Sequence, residues 1–160
     1  MTIYMKIEGV QGGVSAKAHE NWIELDSMFF SVHQPVANKV GRSGDRVTGS
    51  PSLGFIEITK QTDPSSIYLL TNLLSKRSFD KVEVHFCSTQ NTLDPYIFYE
   101  FSNVLIGDYF EGASSLYHMP REVMTLHFAQ LKKSVSVRTA SNQSTSPMRL
   151  GYDVQKAAMM

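Results

Sequence analysis

The chain has 160 residues, a length sufficient for one domain with a substantial core. Its 15 lysine and arginine residues balance 15 aspartate and glutamate residues, so no overall field attracts nucleic acid or an anionic membrane. The single cysteine, Cys87, excludes an intrachain disulfide and a cysteine-rich zinc site.

The first ten residues do not have the pattern of a secretory signal peptide. Lys6 and Glu8 interrupt the apolar stretch that such a signal requires. Nowhere does the sequence approach the roughly 20 apolar residues of a membrane-spanning helix. We therefore expect no membrane partner, and we expect that any export does not use the general secretory signal.

The opening residues predict a short strand that runs into a glycine-rich turn. Ile3, Met5 and Ile7 alternate with more polar residues, which is the period of a half-buried strand. The three glycines within residues 9–13 then allow the chain to reverse. Aromatic and β-branched residues predict the next strands at residues 22–26 and 28–33.

A long stretch without apolar periodicity follows, at about residues 34–52. It contains three glycines and two prolines, and a loop of this length inside a compact domain is usually functional or disordered. Two interpretations are open, a mobile surface loop or a loop that orders against another subunit, and we favour the second. The predicted contacts with that subunit are the loop's charged residues Lys39, Arg42, Asp45 and Arg46.

One amphipathic helix is predicted after a strand at residues 53–60. Asp63 can cap the free amides of a helix, and Pro64 suits the first helical position. Ile67, Leu70 and Leu74 then recur at helical spacing, and Leu73 broadens the stripe, so we expect it to be buried. Further strands are predicted at residues 81–88, 96–106, 122–132, 134–139 and 149–155, before a frayed tail at about 157–160.

The histidines and the cysteine are the candidates for metal or catalytic chemistry. His85 and Cys87 share one face of a predicted strand, and pairing with the strand of His127 would bring a third zinc ligand close. No metal-ligand spacing supports that set, and the nucleophile-elbow, P-loop and dinucleotide-binding motifs are absent. We therefore predict no catalytic residue, no metal site and no cofactor.

Four segments, in their order and spacing, resemble the haemolysin-coregulated protein (Hcp) family, the tube protein of the bacterial type VI secretion system. They are residues 5–12, 58–63, 123–131 and 151–153. The resemblance extends over nearly the whole chain. One departure is Ala157, which stands where the family often has an asparagine.

The resemblance implies a single mainly β domain over residues 1–160, a small β-barrel of two antiparallel sheets with one flanking α-helix. It implies a non-enzymatic subunit of six-membered rings that stack into a hollow tube, assembled in the bacterial cytoplasm and then secreted. The implied partners are further copies, a valine-glycine-repeat spike protein, the contractile sheath and baseplate, and effectors carried in the lumen. Considered without the resemblance, the residues also allow a monomeric β-barrel that binds a small ligand in its interior, or a β-rich hydrolase.

Overall fold

The computed structural model describes residues 1–38, 46–88, 91–116, 118–136 and 146–160. Within these ranges, it describes only the backbone of residues 37, 38, 46–48 and 91–94. The described part of the chain forms twelve strands and one helix. They are β1 Thr2–Ile7, β2 Ile23–Leu25, β3 Ser27–His33, β4 Val36–Asn38, β5 Arg46–Thr48, β6 Ser52–Gln61, α1 Ser66–Leu74, β7 Phe79–Ser88, β8 Asn91–Gly112, β9 Arg121–His127, β10 Gln130–Val135, β11 Met148–Asp153 and β12 Ala158–Met159.

Ten of these strands form two antiparallel sheets that share strand β8. Sheet A has the order β2-β1-β7-β8-β10-β11-β12, and sheet B has the order β3-β6-β9-β8. Strand β8 serves both because its first part pairs with β7 and β10, whereas its part from Leu105 onward pairs with β9. Strands β4 and β5 form a separate ribbon. The prediction of a mainly β chain with two antiparallel sheets and one helix is confirmed.

The ladders of the described strands do not close into one continuous cylinder. Strand β2 pairs with β1 and strand β3 pairs with β6, and only Asp26 separates β2 from β3. The amide of Asp26 donates a hydrogen bond to the carbonyl of Thr59 at 2.7 Å, which links the two sheets at this corner. The barrel expected from the resemblance is therefore a pair of facing sheets joined at β8 and at this corner.

The space between the sheets is filled with apolar side chains. Met5 of β1 and Val82 of β7 face Ile58 of β6 and Met124 of β9 within one core cluster, and none of the four has exposed surface. Their alternation along each strand follows from the strand period of two. This packing fixes which residues of each sheet face outward.

Helix α1 begins at Ser66 with Ser65 as its N-cap, two residues later than the predicted cap Asp63 and first position Pro64, and its buried face differs from the predicted one. Leu69 is fully buried and Leu73 packs against the core, whereas Ile67 and Leu74 are 66% and 74% exposed and Leu70 is half-buried. The predicted stripe was therefore wrong at Ile67 and Leu74, whereas its member Leu73 does pack against the core. Helical spacing did not decide between the two faces, because apolar residues surround this helix and Leu69 and Leu73 also fit an i, i+4 pattern.

Candidate subunit interface

The predicted contact loop lies largely outside the described residues. This applies to Lys39, Arg42 and Asp45, while Arg46 is described only by its backbone, which pairs with Asn38 in the β4–β5 ribbon. The contact role of these four residues stays a prediction. The surfaces analysed below are therefore formed by other elements.

The three residues weighed as zinc ligands are not brought together. His127 lies on the outer face of sheet B, where its ring is 6.0 Å from that of Phe55, while His85 lies on sheet A. The neighbour of His85 and Cys87 is instead His19, whose Nε2 is 2.9 Å from His85 Nδ1 and 3.9 Å from Cys87 Sγ. Among the described residues, no group of three or more side chains is arranged to hold a metal ion.

An exposed apolar patch covers the outer face of sheet B. Phe29 of β3 is 65% exposed, Phe55 of β6 is 48% exposed and Leu105 of β8 is 45% exposed. Leu105 lies opposite His127, whose ring contacts Phe55, and Phe29 lies opposite Glu57, two positions from Phe55. We call Phe29, Phe55, Leu105 and His127 the outer patch. Clustered exposed apolar side chains of this kind are typical of interaction surfaces.

A basic groove crosses the carboxyl-terminal strands of sheet A. It has a volume of about 480 Å³ and is lined by the cations Lys132, Lys133 and Arg149 together with the apolar Leu150 and Met160. Two of the cations have partners within the chain. Lys132 Nζ lies 2.8 Å from a carboxylate oxygen of Glu100 and its hydrogen bond lowers the Glu100 pKa, whereas Lys133 Nζ lies 5.1 Å from the ring centre of Tyr99.

An acidic pocket lies between the start of α1 and the adjoining ends of β8 and β9. It has a volume of about 400 Å³. Its lining includes three carboxylates, from Asp63, Glu111 and Glu122, together with the ring of Tyr109. Burial, the nearby carboxylates of Glu122 and Glu111, and a hydrogen bond with Glu122 together raise the pKa of Tyr109 to about 12.

A buried ion pair forms the base of this acidic pocket. Lys60 and Glu122 are directly opposite each other on β6 and β9, neither side chain is exposed, and their charged atoms are 2.9 Å apart. Lys60 Nζ also lies 2.9 Å from Asp63 Oδ1 and donates to the hydroxyl of Ser66. No spacing in the sequence indicates this cluster, because its members come from three strands and a helix start that only the fold brings together.

The comparisons with known proteins identify the family and the fold of this chain. A sequence profile described as "Type VI secretion system effector, Hcp" matches residues 4–135, which is most of the chain. The chain belongs to the Hcp family. No curated protein matches this member of the family.

Solved structures show the same fold at low sequence identity. A solved type six secretion system protein superposes with a TM-score of 0.92 at 18% identity, over 99% of each chain. Hcp1 from Salmonella typhimurium superposes with a TM-score of 0.80 at 19% identity, over 99% of this chain and 98% of Hcp1. The secreted protein Hcp3 from Pseudomonas aeruginosa gives a TM-score of 0.63 at 17% identity, over 95% of this chain and 97% of Hcp3. The match extends over nearly the full length in all three cases.

The membership confirms the family resemblance, with three of the four segments inside the matched residues and 151–153 beyond them, and it assigns this chain to type VI secretion. Among the described residues, no helix is both long and apolar enough to span a membrane. The outer patch, the basic groove and the acidic pocket are candidate contact surfaces of this Hcp-family chain.

Proposed function

We propose that this chain is a structural subunit of the inner tube of a type VI secretion system. Six copies form a ring, rings stack into a hollow tube, and the lumen carries effectors. The observation that carries the proposal is the family match over residues 4–135, together with a fold shared over 99% of both chains with a solved type six secretion system protein.

The outward-facing side chains support association with further copies. The outer patch leaves Phe29 and Phe55 about half exposed or more, and contact with another protein would remove that apolar surface from water. The formal net charge of zero also means that copies of the chain do not repel one another through their overall charge. Both features favour a self-assembling subunit.

The proposed route of the protein follows from the same assignment. The chain assembles in the bacterial cytoplasm, with a valine-glycine-repeat spike protein at the tube tip and the contractile sheath and baseplate around it, and is then secreted. It has no enzymatic role in this scheme. The charged loop residues Lys39, Arg42, Asp45 and Arg46 remain the proposed contacts between stacked rings.

The interior of the fold does not favour the ligand-binding alternative. The side chains of Met5, Ile58, Val82 and Met124 fill the space between the sheets and have no exposed surface. A small molecule would have to displace packed core side chains, which is costly because protein interiors are close-packed. We therefore propose no second function.

Negative-stain electron microscopy of the purified chain tests the proposal. Annular particles with an open centre, which join into tubes at high protein concentration, are the expected result. A variant with Arg42→Glu and Arg46→Glu should still form rings but fewer stacked tubes, and unchanged stacking would remove the loop from that role. Only small solid particles from the wild-type chain would contradict the proposed function.

A further inference from the structure

We propose that the acidic pocket at the start of α1 receives Arg149 from the basic groove of a second copy of this chain. The inference rests on the proposed function because it requires self-association, and it deepens that function by assigning residues to the contact. The contact joins two different surfaces, and in the proposed ring each copy offers the pocket to one neighbour and the arginine to the other.

The acidic pocket has more negative charge than its own lysine can balance. Lys60 is the one cation in contact with the described side chains of the cluster, and its Nζ lies 2.9 Å from carboxylate oxygens of both Asp63 and Glu122. Glu111 adds a third carboxylate, directly opposite Glu122 in the β8–β9 ladder. Like charges in directly opposite positions destabilise a sheet, so a further cation would be stabilising here.

One carboxylate oxygen in the acidic pocket has no donor. The Glu122 side chain is fully buried, and its Oε1 makes no hydrogen bond within the described residues, while Oε2 accepts from Lys60 and a hydrogen bond with the Glu122 carboxylate is among the causes that raise the Tyr109 pKa. Leaving a buried charged oxygen without a donor is costly, and such groups are normally satisfied in native structures. Glu122 lines the pocket, so a donor that enters from outside the chain reaches this oxygen once the side chains that cover it move aside.

The shape and lining of the acidic pocket suit an arginine. Pro64, Ile67 and Leu70 line one side, and Ile67 is 66% exposed. These side chains offer an apolar surface for the methylene stem of a long cationic side chain. A guanidinium has five donors in a planar fork, so it can donate to Glu111 and Glu122 together.

Arg149 is the most available cation of the basic groove. Lys132 is paired with Glu100 and Lys133 lies over the Tyr99 ring. Arg149 is exposed on β11, and within the described residues no ion pair or ring contact occupies its guanidinium. Exposed Met160 also lines the groove and can cover the apolar side of a neighbour's pocket.

The topology favours a contact between copies over one within the chain. Arg149 pairs with Ser134, which lies opposite Phe98 in the part of β8 that belongs to sheet A. Glu111 lies in the part of β8 that belongs to sheet B. A two-fold contact of either surface with itself would bring like charges together. A head-to-tail contact avoids this, and it forms a ring when its rotation closes.

Charge-exchange variants of the full chain test the proposal. We expect Glu111→Lys and Arg149→Glu each to raise the protein concentration needed for half-maximal assembly by at least about tenfold. The combined variant should recover most of this loss. The readout is the solution mass by light scattering over a dilution series, with circular dichroism as a check on folding. Glu20→Lys, which changes an exposed carboxylate on the turn after β1, is the matched control and should assemble as wild type.

The outcomes separate this inference from the proposed function. A wild-type chain that stays monomeric contradicts both. A wild-type chain that assembles, with folded Glu111→Lys and Arg149→Glu variants that assemble equally well, overturns the inference alone. Weakened single variants without recovery in the combined variant would overturn the pairing of Arg149 with this pocket.

Discussion

Nε2 of His19 lies 2.9 Å from Nδ1 of His85, with the two imidazole rings at 89° to each other. His19 comes from the turn between β1 and β2, and His85 lies on the outer face of sheet A, opposite Tyr4. The His19 ring also stacks on Tyr4 at 4.5 Å and meets the edge of Trp22. The histidine pair therefore holds this turn against the sheet.

Acid should loosen this contact. Burial lowers the pKa of His19. Burial, repulsion from His19 and a smaller contribution from Lys6, opposed by Glu83, together lower the pKa of His85 to about 4. An unfolded histidine titrates near 6.5. Because the folded pKa is the lower one, the stabilisation is complete above about pH 6.5 and is lost as the pH falls towards 4.

Urea denaturation near pH 7 and near pH 4.5 measures this effect. Allowing for partial exposure of His85, we expect the pair to account for about 1–2 kcal/mol of the loss at the lower pH. His85→Phe should reduce the pH dependence by that amount, while carboxylates titrate alike in both proteins. His33→Gln, at an exposed histidine, is the control. Equal pH dependence in wild type and His85→Phe would contradict the account.

Helix α1 allows a direct comparison of a buried and an exposed leucine. Leu69→Ala empties a site with no exposed surface and should lower the free energy of unfolding by about 2–5 kcal/mol. Leu74→Ala, at a side chain that is 74% exposed, should change it by no more than about 0.5 kcal/mol. Chemical denaturation of both variants is the measurement, and a larger loss for Leu74→Ala would reverse the assigned face.

The buried pair of Lys60 and Glu122 should show strong coupling. Lys60→Met leaves the Glu122 carboxylate buried without its cation, which should cost about 3–5 kcal/mol of folding stability. Adding Glu122→Leu removes the unpaired charge, so the double variant should be more stable than Lys60→Met. A double-mutant cycle by chemical denaturation measures the coupling, and strictly additive losses would contradict the pairing.

The sequence allowed the strand pattern to be predicted because alternation is local, as the buried Ile3, Met5 and Ile7 of β1 illustrate. The burial of His19 was not predictable, because it depends on a strand that lies 66 residues further along the chain. The acidic pocket was also not predictable from the sequence. It depends on the register of β8 and β9, which shifts between Ile106 and Tyr109 and places Glu111 opposite Glu122. Local patterns predicted the elements, and long-range pairing determined the sites.

The most direct test of the central claim is the solution mass of the full chain, by light scattering on a size-exclusion peak. The account predicts a mass near six times 18.0 kDa, as expected for a six-membered ring. A mass of 18.0 kDa that persists at high protein concentration would contradict the assignment of this chain as a tube subunit.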